Sequence, residues 1–315
     1  MTVSRERTAR RLALATLGYT VFVILWGVVV RATGAGAGCG ASWPTCNGEV
    51  IPMNPSLNTL IEFGHRVTSG IALPLVIWMA VAVWRAFPKG SGARKAAGAS
   101  VFFMLLEAAI GAGLVLLEYV AFDARIGRAI WIAAHLLNTF LLLGALTLAV
   151  WTAYGHSLPR WPRGGGPAAT TRAWAILIAL VGTMVLGASG AITALGDTLV
   201  LRGGLSPEEN AVVAVLVSLR LLHPTIAFIV LALVGWAAWA SRDTAARKLG
   251  IGVTALFVMQ MGLGALNVWL LAPLWMQVVH LLVTDIIWIG LILLAARALA
   301  PDLAAVRETR QPVAA

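Results

Sequence analysis

Four histidines, His65, His135, His223 and His280, sit inside long apolar runs of this 315-residue chain, and two of them open the same string, His-Leu-Leu-x-Thr. An ionisable side chain within a membrane helix costs about 2.5 kcal/mol or more on insertion scales, so four of them ask for a common reason. Imidazoles on facing bundle helices are axial ligands of haem iron, and they also bind bare metal. The arginines favour haem. Arg66 adjoins His65, and Arg220 precedes His223 on nearly the same helical face, where each could meet a propionate in a poorly solvated place. Alternatively both snorkel to the interface. Glu62 lies one turn before His65, so both address one cavity. Its carboxylate could orient the imidazole, move protons, stabilise positive charge, or simply favour the helix N-terminal dipole.

The elements that must hold these residues are membrane helices. Apolar residues make up 60% of the chain and charged ones 11%, and the mean hydropathy is +0.88, outside the range of soluble domains. Runs near the roughly 20 residues needed to cross a bilayer number eight: 12–31, 61–84, 96–117, 129–151, 173–195, 211–239, 249–271 and 275–299. With the N-terminus inside, 17 Lys and Arg lie on the inner side, including those at 163, 307 and 310. Four lie outside, Arg31, Arg125, Arg128 and Arg202, so the positive-inside rule is obeyed. Both termini are therefore expected in the cytoplasm. The net charge of +10 reflects that asymmetry facing anionic lipid, and no nucleic acid need be invoked. The first 11 residues do not read as a transit peptide or cleavable signal, and a bacterial plasma membrane is the simplest multi-pass home.

A Gly/Pro/Arg-rich stretch divides the chain, giving an N-terminal four-helix half at 1–154, a cytoplasmic linker at 155–172 and a C-terminal four-helix half at 173–315. The halves echo each other. His135-Leu-Leu-Asn-Thr139 in span 4 matches His280-Leu-Leu-Val-Thr284 in span 8; Glu107 stands four residues before Gly111 as Gln260 does before Gly264; His65 in span 2 answers His223 in span 6. Three echoes in one order predict a duplicated unit, hence an all-α integral membrane protein of eight helices in two pseudo-symmetric four-helix bundles. His65, His135 and His280 fall near the outer ends of their spans. His223 reaches the same depth if the first turns of span 6 project from the bilayer. One pair, His65 and His135, could then clamp one iron, and His223 with His280 another.

The string Glu62-Phe-Gly-His65-Arg66 matches the Glu-x-x-His-Arg motif of the haem A synthases, and the eight spans, the histidines on even-numbered helices and the duplication extend the match to nearly the whole chain. The chain resembles that family. The resemblance implies oxidation of a methyl group of haem O to the formyl group of haem A for cytochrome oxidase. It further implies that His65, His135 and Glu62 serve the substrate haem, while His223 and His280 hold a haem B cofactor. Haem O would arrive from a haem O synthase, and an electron acceptor, unidentified, is required. A homo-oligomer is compatible with the sequence.

Cys39 and Cys46 share the first outer loop, where many bacterial members of that family carry a pair with this spacing. They are the only cysteines, and both lie where disulfides persist, as a loop staple or as a redox-active, partner-exchanging pair. Residues 196–210 lack the second pair that some members carry. Glu107 and Asp285 need partners inside the bundle, through an interior hydrogen bond or a part in tuning a haem or a proton path, and His156 is expected in an inner loop. Two other functions use the same residues: a di-haem cytochrome b exchanging electrons with quinone, and a secondary transporter with buried proton carriers.

Overall fold

The computed structural model describes residues 2–162 and 166–300. Arg163, Arg307 and Arg310, counted above as inner charges, lie outside the described residues, as does part of the linker. The chain forms α1 (Thr2–Thr33), α2 (Leu57–Ala86), α3 (Gly92–Leu116), α4 (Ile126–Ala153), α5 (Gly166–Leu201), α6 (Ala211–Ser218), α7 (Leu222–Ala240), α8 (Arg247–Trp269) and α9 (Leu274–Ala298). With α6 and α7 taken as one, eight of these are long and apolar enough to cross a bilayer, in agreement with the eight expected spans. No strand occurs among the described residues, only an isolated bridge between Cys46 and Glu49.

Most helices outrun the apolar segment that marks them. Helix α1 continues to Thr33 and α5 to Leu201, which brings Arg31 and Asp197 onto helices where the hydropathy pattern leaves them at span ends or in loops. The sixth span is broken. A 3-10 turn at Leu219–Leu221 separates α6 from α7, and Pro224 follows at once. Proline has no N–H for the carbonyl of Arg220 and its ring crowds that turn, so the α-ladder cannot run through. The break places His223 at the start of a new helix.

Contacts group the helices into two rings. In the first, α1, α2, α3 and α4 touch in sequence and α4 closes back on α1; in the second, α5, α7, α8 and α9 do the same. Helix α4 has the most buried positions, because it packs on α1 and α3 and also on α5 and α9 of the other ring. There Trp288 Nε1 donates to the Phe140 carbonyl at 2.6 Å, and the two side-chain rings stack 4.8 Å apart. At the end of the molecule that carries Cys39 and Cys46, the α3–α4 loop reaches both halves through Phe122. Gly34, at φ +72°, lies so close that a Cβ there would stand 2.5 Å from the Phe122 ring, and one on Gly203 would stand 2.9 Å from it.

Candidate functional site

All four histidines lie toward the disulfide-bearing end, half-buried between helices: His65 on α2, His135 on α4, His223 on α7 and His280 on α9. Within each ring the two imidazoles lie within Coulombic reach of one another, His65 with His135 and His280 with His223. Each imidazole packs on a glycine of the preceding span. A Cβ would stand 3.4 Å from His65 Cε1 on Gly27, 3.8 Å from His135 Cε1 on Gly111, 2.9 Å from His223 Cε1 on Gly190 and 3.3 Å from His280 Cε1 on Gly264. A larger residue would push most of these imidazoles out of place.

The Nδ1 atoms of His65, His135 and His280 are buried without a hydrogen-bond partner. His223 Nδ1 lies 3.0 Å from Ser189 Oγ. The Ser189 hydroxyl donates to the Leu186 carbonyl at 2.7 Å, so the imidazole must supply the proton of the His223 contact and keeps its Nε2 lone pair free. Four imidazoles in two pairs, cradled where a Cβ would intrude, fit axial ligation of two flat macrocycles. A bare-metal site is not favoured, because among the described residues no cluster of three or more His, Cys, Asp or Glu side chains is placed to hold an ion.

The repeated string has a physical explanation. In the first ring Glu107 accepts from Asn138 Nδ2 at 2.5 Å and from Thr139 Oγ1, and its Oε1 lies 3.5 Å from His135 Nδ1. In the second ring Gln260 Nε2 donates to Thr284 Oγ1 and to the His280 carbonyl, both at 2.7 Å. The threonine of His-Leu-Leu-x-Thr thus locks each histidine helix to its neighbour. Among the described residues, only in the first ring does a carboxylate come within 4.0 Å of one of these four imidazoles, at a contact that lacks hydrogen-bond geometry.

Glu62 is 3% exposed. Its oxygens accept the Cys39 backbone N–H at 2.8 Å, Arg66 Nε at 3.1 Å and Arg66 Nη2 at 2.5 Å. Arg66 Nη1 in turn donates to the Ser42 and Thr45 carbonyls, each at 2.5 Å. Cys39 and Cys46 form a disulfide, and both are buried. The short loop it closes is therefore bolted to Glu62 and Arg66. Four of the five guanidinium protons of Arg66 are engaged, leaving one for any ligand carboxylate. Arg220 is paired with Asp197 at 2.6 Å, a partner that the hydropathy pattern conceals because it lies beyond the apolar core of span 5. Asp285 is fully buried with neither oxygen hydrogen-bonded, and His156 stacks on Trp151 at 3.9 Å, away from the site.

An eight-span helical membrane protein with two histidine pairs defines the class. The family model for cytochrome oxidase assembly protein (COX15-CtaA) matches residues 10–292, and the chain belongs to that family, the haem A synthase family. It is 43% identical over 303 residues to a protoheme IX farnesyltransferase of Thermus thermophilus, an alignment covering 91% of this chain and 48% of that protein. The corresponding protein of a second strain of the same species matches equally well. The chain thus spans about half the length of these relatives. It is also 40% identical over 95 residues to the heme A synthase of Alkalihalophilus pseudofirmus, covering 30% of this chain and 32% of that one.

Proposed function

We propose that this chain is a haem A synthase, an oxidoreductase that converts a methyl group of haem O to the formyl group of haem A. The observation that supports the reading is an asymmetry between two otherwise matching histidine pairs: Glu107 stands 3.5 Å from His135 Nδ1 in the first ring, whereas the matching residue beside the His280 helix is the neutral Gln260. In this reading His65 and His135 hold the substrate. Glu62 supplies a fixed acid–base group and negative charge one turn from His65, and Arg66 with the disulfide loop keeps it in place. His223 and His280 hold a resident haem B, whose iron supplies one-electron transfer when bound. Ser189 fixes the His223 tautomer for that role, and Arg220 stands near enough in sequence to meet a haem carboxylate.

Methyl to formyl is a four-electron oxidation, so the reaction needs an acceptor. Haem O is made by prenyl transfer to protohaem, and the longer Thermus relatives carry a farnesyltransferase name over a chain of which this protein matches half. That supports delivery of substrate by a haem O synthase. The positive-inside count supports an orientation with both termini in the cytoplasm, in a bacterial plasma membrane. The test is pigment extraction from cells that make haem O but no haem A: with this chain supplied, haem A should accumulate. Haem O persisting alone, at normal protein level with both haem sites filled, would overturn the reading in favour of an electron-transfer cytochrome b.

A further inference from the structure

Charge counting places four arginines outside the bilayer, yet two of them are built into the helix interface. Arg31 at the end of α1 is half-buried and reaches across to the second ring: Nη1 donates to the Ala194 carbonyl and to Thr198 Oγ1, both at 3.0 Å, and Nη2 to Gln277 Oε1 at 2.6 Å. Arg128 at the start of α4 is 3% exposed; its Nη1 donates to the Asp123 carbonyl at 2.8 Å, while its Nε is buried with no partner. The two guanidiniums lie within Coulombic reach of each other. Among the described residues neither has a carboxylate within 4.0 Å: the acids within Coulombic reach, Asp197 of Arg31 and Asp123 of Arg128, are ion-paired with Arg220 and Arg125. Arg220 Nε is a second buried donor without a partner.

A buried cation without a paired anion is costly, and four guanidiniums, Arg31, Arg125, Arg128 and Arg220, sharing two committed aspartates, Asp123 and Asp197, ask for negative charge from elsewhere. The place is informative. Arg31 is four residues beyond Gly27, Gln277 three before His280, Arg220 three before His223 and Arg128 seven before His135. At about 1.5 Å per residue, all are displaced roughly 5–10 Å from the imidazole plane toward the disulfide-bearing end, on the seam between the rings.

We propose that Arg31 and Arg128 form an anion site between the two halves that receives a propionate carboxylate of the haem held by His223 and His280. The inference rests on the two-haem reading and adds residues to it. The second-ring haem is chosen because the side-chain partners of Arg31, Thr198 and Gln277, come from α5 and α9 of that ring, and Arg220 flanks His223. A lipid headgroup is a poor candidate for the same site, because Arg128 is closed off from the molecular surface.

The experiment titrates haem-free protein in detergent with protohaem and with its dimethyl ester, which has the same ring and iron but no carboxylates, following the absorption of the bound haem. The wild type should bind the diacid at least tenfold more tightly than the diester. Arg128→Gln and Arg31→Gln should weaken diacid binding about tenfold and leave the diester within twofold, so that the preference collapses; Arg31→Lys should keep most of it. Thermal unfolding of the haem-free variants separates a folding defect from a binding one: Arg128→Gln, which removes a largely unpaired charge, should not lower stability, whereas Arg31→Gln gives up three hydrogen bonds to the second ring and should lower the midpoint modestly. A wild type that binds both forms equally, or variants that keep the full preference, would overturn the proposal while leaving two haem sites intact. Equal loss of both forms, with lowered haem-free stability, would overturn it in favour of a structural latch. A wild type that binds neither would remove the two-haem reading and this inference with it.

Discussion

The two four-helix rings use one lock and dress it differently. In both, a polar residue on the third helix of the ring meets the threonine of His-Leu-Leu-x-Thr, and a glycine one turn further on backs the imidazole. The first ring uses glutamate for that polar residue and adds a second buried carboxylate, Glu62, tied to a disulfide loop. The second ring uses glutamine; its Asp197 is paired with Arg220 as Glu62 is with Arg66, and Asp285 on the His280 helix is buried without a hydrogen bond. Negative charge beside a ligand stabilises oxidised iron and offers a place for protons, whereas a neutral cradle holds a haem without taking part. Under the proposed function, this difference is the basis for giving chemistry to the first ring and storage or relay of electrons to the second.

The sharpest way to break this comparison is at Glu62. Glu62→Gln keeps size and most hydrogen bonding but removes the charge, and it should cut haem A formation by roughly 10²–10⁴-fold while both haems stay bound. A loss limited to the helix-dipole contribution of about 0.3–1 kcal/mol would be too small to stop turnover. Near-normal haem A in extracted pigment would take Glu62 out of the mechanism and make the rings equivalent.

The disulfide loop comes next, since only the first ring has one. Closing so short a loop is worth about 2–3 kcal/mol by loop-closure entropy, and its loss also loosens the Cys39 N–H donated to Glu62 and the Ser42 and Thr45 carbonyls that accept from Arg66. Cys39→Ser with Cys46→Ser should lower the thermal midpoint and reduce haem A formation more than haem B content. Equal loss of both haems would show that the loop serves the whole fold.

The glycine cradles give a smaller, graded effect. Gly190→Ala would place a methyl 2.9 Å from His223 Cε1, whereas Gly111→Ala would make ordinary contact at 3.8 Å with His135 Cε1. Overpacking of the first kind costs about 1–3 kcal/mol, so the Gly190 variant should lose bound haem from the second ring and the Gly111 variant should retain its own. Haem content per purified chain measures both, and the reverse order would contradict the packing.

Much of this is legible without coordinates. The four histidines, the eight spans and the echo of Glu107 by Gln260 follow from hydropathy and spacing, because a costly residue in an apolar run leaves few explanations. What the sequence hides are partners far apart in the chain and contacts at span ends. Arg31 and Arg128 count there only as outer charges, since their surroundings come from α5, α9 and the α3–α4 loop. Arg66 reads as free for a propionate, because nothing local reveals that the Ser42 and Thr45 carbonyls take its Nη1 protons. The break before His223 is also invisible to the hydropathy pattern, although Pro224 is its signal.

The most direct test of the division of labour is the identity of the haems left in single-histidine variants made in cells that supply haem O. His65→Ala and His135→Ala should keep haem B and form no haem A. His223→Ala and His280→Ala should lose haem B while still holding haem O that is left unconverted. Loss of the same single haem from all four variants would contradict two sites and the assignment of chemistry to the first ring.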